Sequence, residues 1–264
     1  MRWIRRHLLA FAALAVLAYL LLPNVIVAIF SFNNPSGRYN YQWTRFSTQA
    51  WQHPCGTPGI CDALGLSLKI GITASVVATI LGTMVAFALG RHRFRGRAST
   101  NLLIFMPMAT PEVVMGSSLL TLFVMLGVPS GAEAILIAHI MFCLSFVVVA
   151  VKARVASLDP RLEEAAADLG ANPLQTFLRV TLPLTAPGIA AGALLAFSLS
   201  FDDYIITNFN ASPSSITFPM YVWGAAARGV PIQVYVIGTM MFLIALTVVI
   251  AGQIISNRRN RQVA

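Results

Sequence analysis

Residues 164–183, with the sequence EAAADLGANPLQTFLRVTLP, decide the fold because they form a polar segment between two long apolar runs. Asp159 followed by Pro160 predicts a helix start just before this segment, since proline at the first helical position gives up only an amide hydrogen that would be unpaired. A short helix over residues 160–169 would then end at Gly170, because glycine readily takes the left-handed conformation that terminates a helix.

A second short helix is predicted immediately after this glycine. Asn172, Pro173 and Gln175 supply a capping side chain, an N-terminal proline and a capping-box glutamine in sequence. Two short helices joined by a glycine hinge make a compact projection, called here the knob (residues 160–183). The alternative is an ordinary helix–turn–helix loop with acidic residues near its start, where the helix dipole favours them.

The composition indicates a membrane protein. Apolar residues make up 57% of the 264 residues and charged residues only 10%, whereas soluble domains carry about 25% charged residues. The net charge of +9 raises the question of nucleic acid. The basic residues, however, form short clusters beside apolar runs without interleaved aromatics, so the chain is predicted to bind membrane lipid and no nucleic acid.

The apolar runs predict six transmembrane helices, since a span takes about 20 helical residues. These runs cover residues 8–30, 67–90, 102–128, 134–151, 184–207 and 232–255. A cleaved signal peptide is the competing interpretation of the first run, but the run continues past Pro23 without a small-x-small cleavage site. Residues 1–264 are therefore predicted to form a single, all-α transmembrane domain.

Basic residues predict the topology, because they concentrate in cytoplasmic segments. With the N-terminus inside, the cytoplasmic segments are 1–7, 91–101, 152–183 and 256–264. They hold Arg2, Arg5, Arg6, Arg91, Arg93, Arg95, Arg97, Lys152, Arg154, Arg161, Arg179, Arg258, Arg259 and Arg261. The others among the 18 basic residues are Arg38, Arg45, Lys69 and Arg228. Both termini and the knob are thus predicted to be cytoplasmic.

No catalytic or metal-binding motif is evident. A P-loop needs a glycine directly before its lysine, but Lys69 and Lys152 follow a leucine and a valine. The chain also shows no Ser/His/Asp or Cys/His constellation, and its four histidines are scattered without ligand spacing. We therefore predict that it is not an enzyme, binds no metal, and depends on another polypeptide for any ATP hydrolysis.

The first outer loop, residues 31–66, contains Cys55 and Cys61. The predicted topology puts both cysteines on the side of the membrane where disulfides persist, so a bridge between them is a hypothesis. Cys143 lies within the fourth span and is interpreted as a small buried apolar residue.

Three acidic residues fall within predicted spans, where a carboxylate costs about 2.5–3.5 kcal/mol on insertion scales. Glu112 follows Pro107 and Pro111 in the third span, and Asp202 and Asp203 lie near the outer end of the fifth. The functional interpretation is an acidic path for a cationic solute. The alternative is that the aspartates cap a helix end or pair locally.

Aromatic residues extend the functional interpretation. Trp51, Tyr204 and Trp223 offer ring faces for cation–π contacts with such a solute. The alternative is that they gather at the membrane interface regardless of function, while Arg228 is a local partner for the aspartates. Gly188 and Gly192 form a GxxxG step that is typical of close helix packing.

The knob carries a family resemblance. Glu164-Ala165-Ala166, then Gly170, then Val180-Thr181-Leu182-Pro183 resembles the EAA loop of ABC importer permeases. The resemblance implies the type I ABC importer permease fold, in which the first short helix of this loop is the coupling helix that docks on an ATPase subunit. By this likeness the ATPase-coupling residues are Glu163, Glu164, Ala165, Ala166, Asp168, Leu169, Gly170 and Pro183.

Further segments resemble one subfamily, the permease subunits of spermidine/putrescine importers. They are residues 106–119 (MPMATPEVVMGSSL), 198–207 (SLSFDDYIIT), 228–231 (RGVP) and the pattern Trp43-x-x-Phe46-Ser47-Thr48. The likeness assigns Glu112 to the acidic substrate path and Trp51 to its aromatic position. This sequence departs from the subfamily pattern at both positions. Glu112 stands where an aspartate is common, and Trp51 lies one residue further along than the pattern predicts.

The resemblance implies an assembly in a bacterial inner membrane that imports polyamines by alternating access. Its other parts are an ABC ATPase dimer carrying ATP and Mg²⁺, a second related permease forming a heterodimer, and an extracytoplasmic substrate-binding protein; no cofactor is bound by this chain. Alternatives are an importer of another small solute (an amino-phosphonate, iron(III) or an opine-like compound), a secondary transporter, and a membrane scaffold. A secondary transporter is disfavoured because the sequence shows no repeated halves.

Overall fold

The structure is a computed structural model that describes the backbone of residues 2–37 and 39–263 and the side chains of residues 7–37 and 39–252. In chain order its helices are α1 (Arg2–Phe30), α2 (Gln49–Gln52), α3 (Ile60–Arg91), α4 (Arg97–Ala109), α5 (Glu112–Met125), α6 (Ala132–Ala156), α7 (Arg161–Asp168), α8 (Pro173–Thr176), a π-helical turn (Phe177–Thr181), α9 (Leu182–Asp202), α10 (Ile205–Asn210), α11 (Phe218–Ala226) and α12 (Ile232–Val263).

The all-α class is confirmed: within the described ranges, the only β-structure is an isolated antiparallel bridge between Asn33 and Phe46. Some arginine side chains used for the topology prediction lie outside the described residues. They are Arg2, Arg5, Arg6, Arg38, Arg258, Arg259 and Arg261.

Helices long and apolar enough to cross a membrane account for five of the predicted spans, and a bent pair of helices accounts for the sixth. The predicted span over residues 102–128 is not continuous, because α4 and α5 meet at an angle of 109°. Thr110 between them is extended, with φ −83° and ψ 131°. The residue before a proline avoids the helical region, and Pro111 has no amide hydrogen to continue the helix.

The fifth predicted span, residues 184–207, ends earlier than expected. α9 stops at Asp202 because Asp203 is extended, with φ −63° and ψ 126°. The chain then forms the separate short helix α10. The bent pair and this break are the irregular points of two membrane helices.

One compact unit comprises residues 1–61 and 222–264. In it α1 packs along α12, and the outer loop folds over their ends. Tyr235 Oη donates to the Asn40 carbonyl oxygen over 3.2 Å, and Asn40 in turn accepts from Asn33 over 2.7 Å. Cys55 and Cys61 form a disulfide with Cα atoms 5.4 Å apart. Hydrogen bonds and a disulfide thus give this loop a defined structure.

The other unit comprises residues 62–221 and is built around α6. Apolar residues of α6 are buried along its whole length, including Val147 and Val155. Small residues let neighbouring helices approach closely: a Cβ atom added to Gly188 on α9 would lie 2.5 Å from the Cβ atom of Arg154. A Cβ atom on Gly82 of α3 would lie 2.7 Å from a Val147 methyl group. The GxxxG step therefore packs against α6 within the chain.

Candidate functional site

Hydrogen bonds satisfy backbone groups at both ends of α7, the first helix of the knob. Asp159 Oδ1 accepts the Arg161 amide over 3.0 Å at its start. At its end the Gly170 amide donates to the Ala167 carbonyl and the Ala171 amide donates to the Ala166 carbonyl, over 2.9 and 3.0 Å. Gly170 has φ +84°. This pairing is a Schellman motif, which requires the left-handed conformation that glycine adopts without strain.

The second helix of the knob begins with a complete capping box. Asn172 Oδ1 accepts the Gln175 amide over 2.9 Å, and Gln175 Oε1 accepts the Asn172 amide over 3.0 Å. Pro173 occupies the first turn of α8. The predicted pair of short helices and its glycine hinge are confirmed, and helical structure then continues through the π turn into α9.

The knob presents apolar and acidic side chains to the outside. Leu169 is 90% exposed and Leu162 is 45% exposed on a helix that buries none of its residues. Among the predicted coupling residues, the exposed ones are Glu164, Ala165, Asp168, Leu169, Gly170 and Pro183, and the half-buried ones are Glu163 and Ala166. The knob therefore exposes two leucines close in the chain to the carboxylates of Glu164 and Asp168.

Asp203 is buried, and both of its carboxylate oxygens accept hydrogen bonds. Its carboxylate accepts from the Ile206 amide over 3.3 Å, and from the Thr207 amide and hydroxyl over 2.8 Å each. It therefore caps the N-terminus of α10, where a negative charge is favourable. His139 Nε2 on α6 lies 3.3 Å from Asp203 Oδ2. The local-capping alternative thus describes Asp203, with His139 rather than Arg228 as its partner; Arg228 Nε donates to the Gly224 carbonyl oxygen.

Asp202 and Glu112 differ from Asp203 because both are exposed. Asp202 is the last residue of α9, and Glu112 is the first residue of α5, directly after the 109° bend. Neither forms an ion pair within the part of the chain that the structure describes. α5 packs along α10 so closely that a Cβ atom added to Gly116 would lie 2.8 Å from the Phe209 ring and 3.3 Å from the Ile206 Cα atom. The two carboxylates thus mark the irregular ends of helices in the same unit.

The predicted aromatic residues have different environments. Trp51 is half-buried, stacks on Phe32 with ring centroids 5.0 Å apart, and donates through Nε1 to Ser31 Oγ over 3.2 Å. One face of its ring is therefore already covered. Trp223 on α11 is 66% exposed, whereas Tyr204 is half-buried between α9 and α10.

Two functional candidates were missed from the sequence. His139 looked like one scattered histidine, although a polar side chain inside an apolar span signals a buried partner. The contact of Glu163 with Arg91, with 3.0 Å between Oε1 and Nη2, joins residues far apart in the chain and leaves no local signal. No group of three His, Cys, Asp or Glu residues within the described ranges is placed to hold a metal ion.

This chain combines helices that are long and apolar enough to cross a membrane with the knob between two of them. It is a member of the family of binding-protein-dependent transport system inner membrane components, which matches residues 78–262. The chain is thus a multi-pass membrane permease subunit of an ABC transporter, a transport component rather than an enzyme.

Individual proteins can also be compared with this chain over most of its length. The chain is 36% identical to the spermidine/putrescine transport system permease protein PotC of Escherichia coli (strain K12), over 94% of this chain and 93% of that protein. It is 39% identical to the putrescine transport system permease protein PotI of the same strain, over 84% and 81%. A bacterial ABC transporter involved in the import of the acidic polysaccharide alginate has the same fold, with a TM-score of 0.68, 19% identity and coverage of 97% and 98%.

Proposed function

We propose that this chain is the polyamine-translocating permease of an ATP-driven importer, with α7 as its coupling helix. The observation that carries the proposal is α7 itself, a short helix with hydrogen bonds at both ends and no buried residue. A helix held this way moves as a rigid body. Force applied to it is therefore passed to the spans instead of being lost in loop deformation.

The partner at α7 is an ABC ATPase dimer. Exposed Leu162 and Leu169 fill an apolar groove on that subunit, while Glu164 and Asp168 set the orientation through charge. Ala165 and Ala166 allow close approach because they are small, and Gly170 and Pro183 fix where the knob ends. ATP and Mg²⁺ belong to the partner, and this chain binds no cofactor.

The orientation follows from the same assignment. An ATPase acts in the cytoplasm, so the knob and both termini face the cytoplasm, as the arginine distribution favours. The chain forms one transmembrane domain in a bacterial inner membrane, surrounded by lipid and paired with a second related permease. On the opposite side, the loop over residues 31–66 faces an extracytoplasmic substrate-binding protein.

The solute path uses the exposed acids. Glu112 and Asp202 attract the ammonium groups of a polyamine, while Trp51, Tyr204 and Trp223 offer aromatic faces. Asp203 supports this path by fixing the backbone that carries Asp202. Contacts with the solute are weak, because a permease that bound tightly would hold its cargo instead of releasing it. Closure of the ATPase dimer drives the change from inward-facing to outward-facing spans.

Purification of the tagged chain from its native membrane tests the proposal. We expect an ABC ATPase and a second permease to copurify, and reconstituted vesicles to accumulate labelled spermidine or putrescine when ATP and the binding protein are present. A non-hydrolysable ATP analogue is the control. Absence of an ATPase would refute the importer. Competition by an amino-phosphonate, iron(III) or an opine-like compound instead of polyamines would refute only the cargo.

A further inference from the structure

Glu163 joins the coupling helix α7 to α3 and to the π turn. Its Oε1 atom lies 3.0 Å from Nη2 of Arg91, the last residue of α3, and accepts from Oγ1 of Thr181 over 3.1 Å. Thr181 ends the π turn, directly before α9. One carboxylate thus connects the coupling helix to the ends of two membrane helices.

The surroundings make this ion pair stronger than an ordinary surface pair. The Arg91 and Glu163 side chains are only 19% and 34% exposed. They line a cleft of about 490 Å³ whose wall is mostly apolar, including Phe87, Ala167 and Phe177. A pair beside apolar groups is screened less by water than an exposed one, so its loss has larger consequences.

Two further observations support the connection. Phe87 of α3 and Phe177 of the π turn meet edge to face with ring centroids 5.3 Å apart, next to the ion pair. Nε of Arg91 is buried and finds no hydrogen-bond partner among the described residues. Without Glu163, Arg91 would therefore be a half-buried charge with little compensation.

We propose that the Arg91–Glu163 ion pair, held by Thr181, is the positioning contact that fixes α7 to α3. A displacement of α7 by the ATPase then moves α3 and α9 together, so the second and fifth spans respond as one body. The inference rests on the proposed function of α7 and deepens it. Arg91 and Glu163 are positioning residues, because neither has to touch ATP or the solute.

The test is a double-mutant cycle in the reconstituted complex. Arg91→Gln and Glu163→Gln should each raise the ATP hydrolysed per solute molecule imported by about fivefold or more, the lower bound of typical coupling between sites. The double variant should be no worse than the more damaging single variant, because only one contact exists to be lost. The ratio is measured per assembled complex, so a loss of folding alone does not change it.

Arg93→Gln is the matched control. Arg93 lies two residues further along, is exposed, and forms no ion pair within the described part of the chain, so the ratio should stay at the wild-type value. Wild-type ratios in both single variants, or effects that multiply in the double variant, would overturn the proposal. A failure of the proposed function would be seen separately, as wild-type vesicles without ATP-driven uptake.

Cross-linking provides a second test that does not depend on the stability of the glutamine variants. An Arg91→Cys/Glu163→Cys pair in a Cys143→Ala background is joined by a short bifunctional thiol reagent in the intact complex. We expect joined complexes to hydrolyse less ATP per imported solute molecule than unjoined ones, since the two substitutions remove the ion pair and the cross-link restores the connection between α7 and α3. Loss of import on joining would show that the contact must open, which contradicts its role as a rigid link.

Discussion

His139 Nε2 on α6 lies 3.3 Å from Asp203 Oδ2 at the break between α9 and α10, and both side chains are almost completely buried. His139 Nδ1 and Ser200 Oγ are 2.7 Å apart, and His139 Nε2 and Thr207 Oγ1 are 2.9 Å apart. One imidazole therefore connects both sides of the break to the central helix. In the arrangement that satisfies these bonds, Nε2 carries the hydrogen and Nδ1 accepts from Ser200.

The contact with His139 distinguishes Asp203 from its neighbour Asp202. Asp203 holds the break in place, and Asp202, one residue earlier, stays exposed at the end of α9. A helix C-terminus disfavours a carboxylate, because the dipole there is negative. In the proposed solute path, this exposed carboxylate attracts a cation.

His139→Ala should destabilise the chain by about 1.5–3 kcal/mol, because the buried Asp203 carboxylate loses one of its hydrogen-bond donors. Thermal unfolding of the detergent-solubilised protein measures the effect. Cys143→Ala, one turn further along the same buried helix face, is the matched control and should cost less because it removes no hydrogen bond to a charged group. Equal losses in the two variants would contradict a special role for the histidine.

Asp202→Asn should lower the apparent affinity for polyamine uptake and make uptake less sensitive to salt, since an exposed charge acts through screened attraction. Asp203→Asn should instead lower the yield of assembled complex, because its charge stabilises the α10 cap. The two variants are compared by uptake per assembled complex at low and high ionic strength. Identical behaviour would argue against the division of roles.

Glu112→Gln should raise the KM for uptake by about tenfold, since a hydrogen bond to a charged group contributes about 1.5–3 kcal/mol. Assembly should be normal, because Glu112 is exposed and forms no ion pair with any described residue. The measurement is initial uptake against polyamine concentration. Glu133→Gln removes an exposed carboxylate at the start of α6 and serves as the control. An unchanged KM in Glu112→Gln would remove this residue from the path.

Gly170→Val should uncouple ATP hydrolysis from uptake, because a β-branched residue at φ +84° disrupts the end of α7. The left-handed conformation costs an ordinary L-residue about 1–2 kcal/mol. Gly170→Asn is the matched variant, since asparagine tolerates this conformation and should retain coupling. The ratio of ATP hydrolysed to solute imported is the measurement, and normal coupling in Gly170→Val would refute the lever.

Gly188→Val should separate α9 from α6, since even a Cβ atom there would lie 2.5 Å from the Cβ atom of Arg154. Overpacking of this kind costs about 1–3 kcal/mol. Gly65→Ala on α3 is the contrasting variant: its added Cβ atom meets nothing within 4 Å. It should leave stability unchanged or raise it by about 0.5–1 kcal/mol. Melting temperatures of the two purified variants decide between these outcomes.

The knob could be predicted almost to the residue because its determinants are local. Asp159, Gly170 and the Asn172–Gln175 pair act on backbone atoms within a few positions, and the structure shows each of those hydrogen bonds. Apolar runs of about 20 residues likewise predicted most spans, because membrane thickness alone sets their length.

The breaks could be predicted only in part. Pro107 and Pro111 indicated an irregular third span, but α5 packs against α10, and no sequence pattern reports the 109° between α4 and α5. The role of Asp203 was likewise left between two alternatives. Its partner, His139, lies on another helix, and only the packing of α6 against α9 brings the two together.

The π turn over Phe177–Thr181 lets the helix that leads into α9 accommodate one residue more than a regular α-helix of the same length. A single extra residue in a helix corresponds to about 100° of rotation, and a π turn stores that residue as a local widening. Deleting one residue from this turn should therefore restore α-helical hydrogen bonding and leave Leu162 and Leu169 facing the same direction. The same deletion within α9 should instead rotate α7 by about 100° relative to the membrane helix.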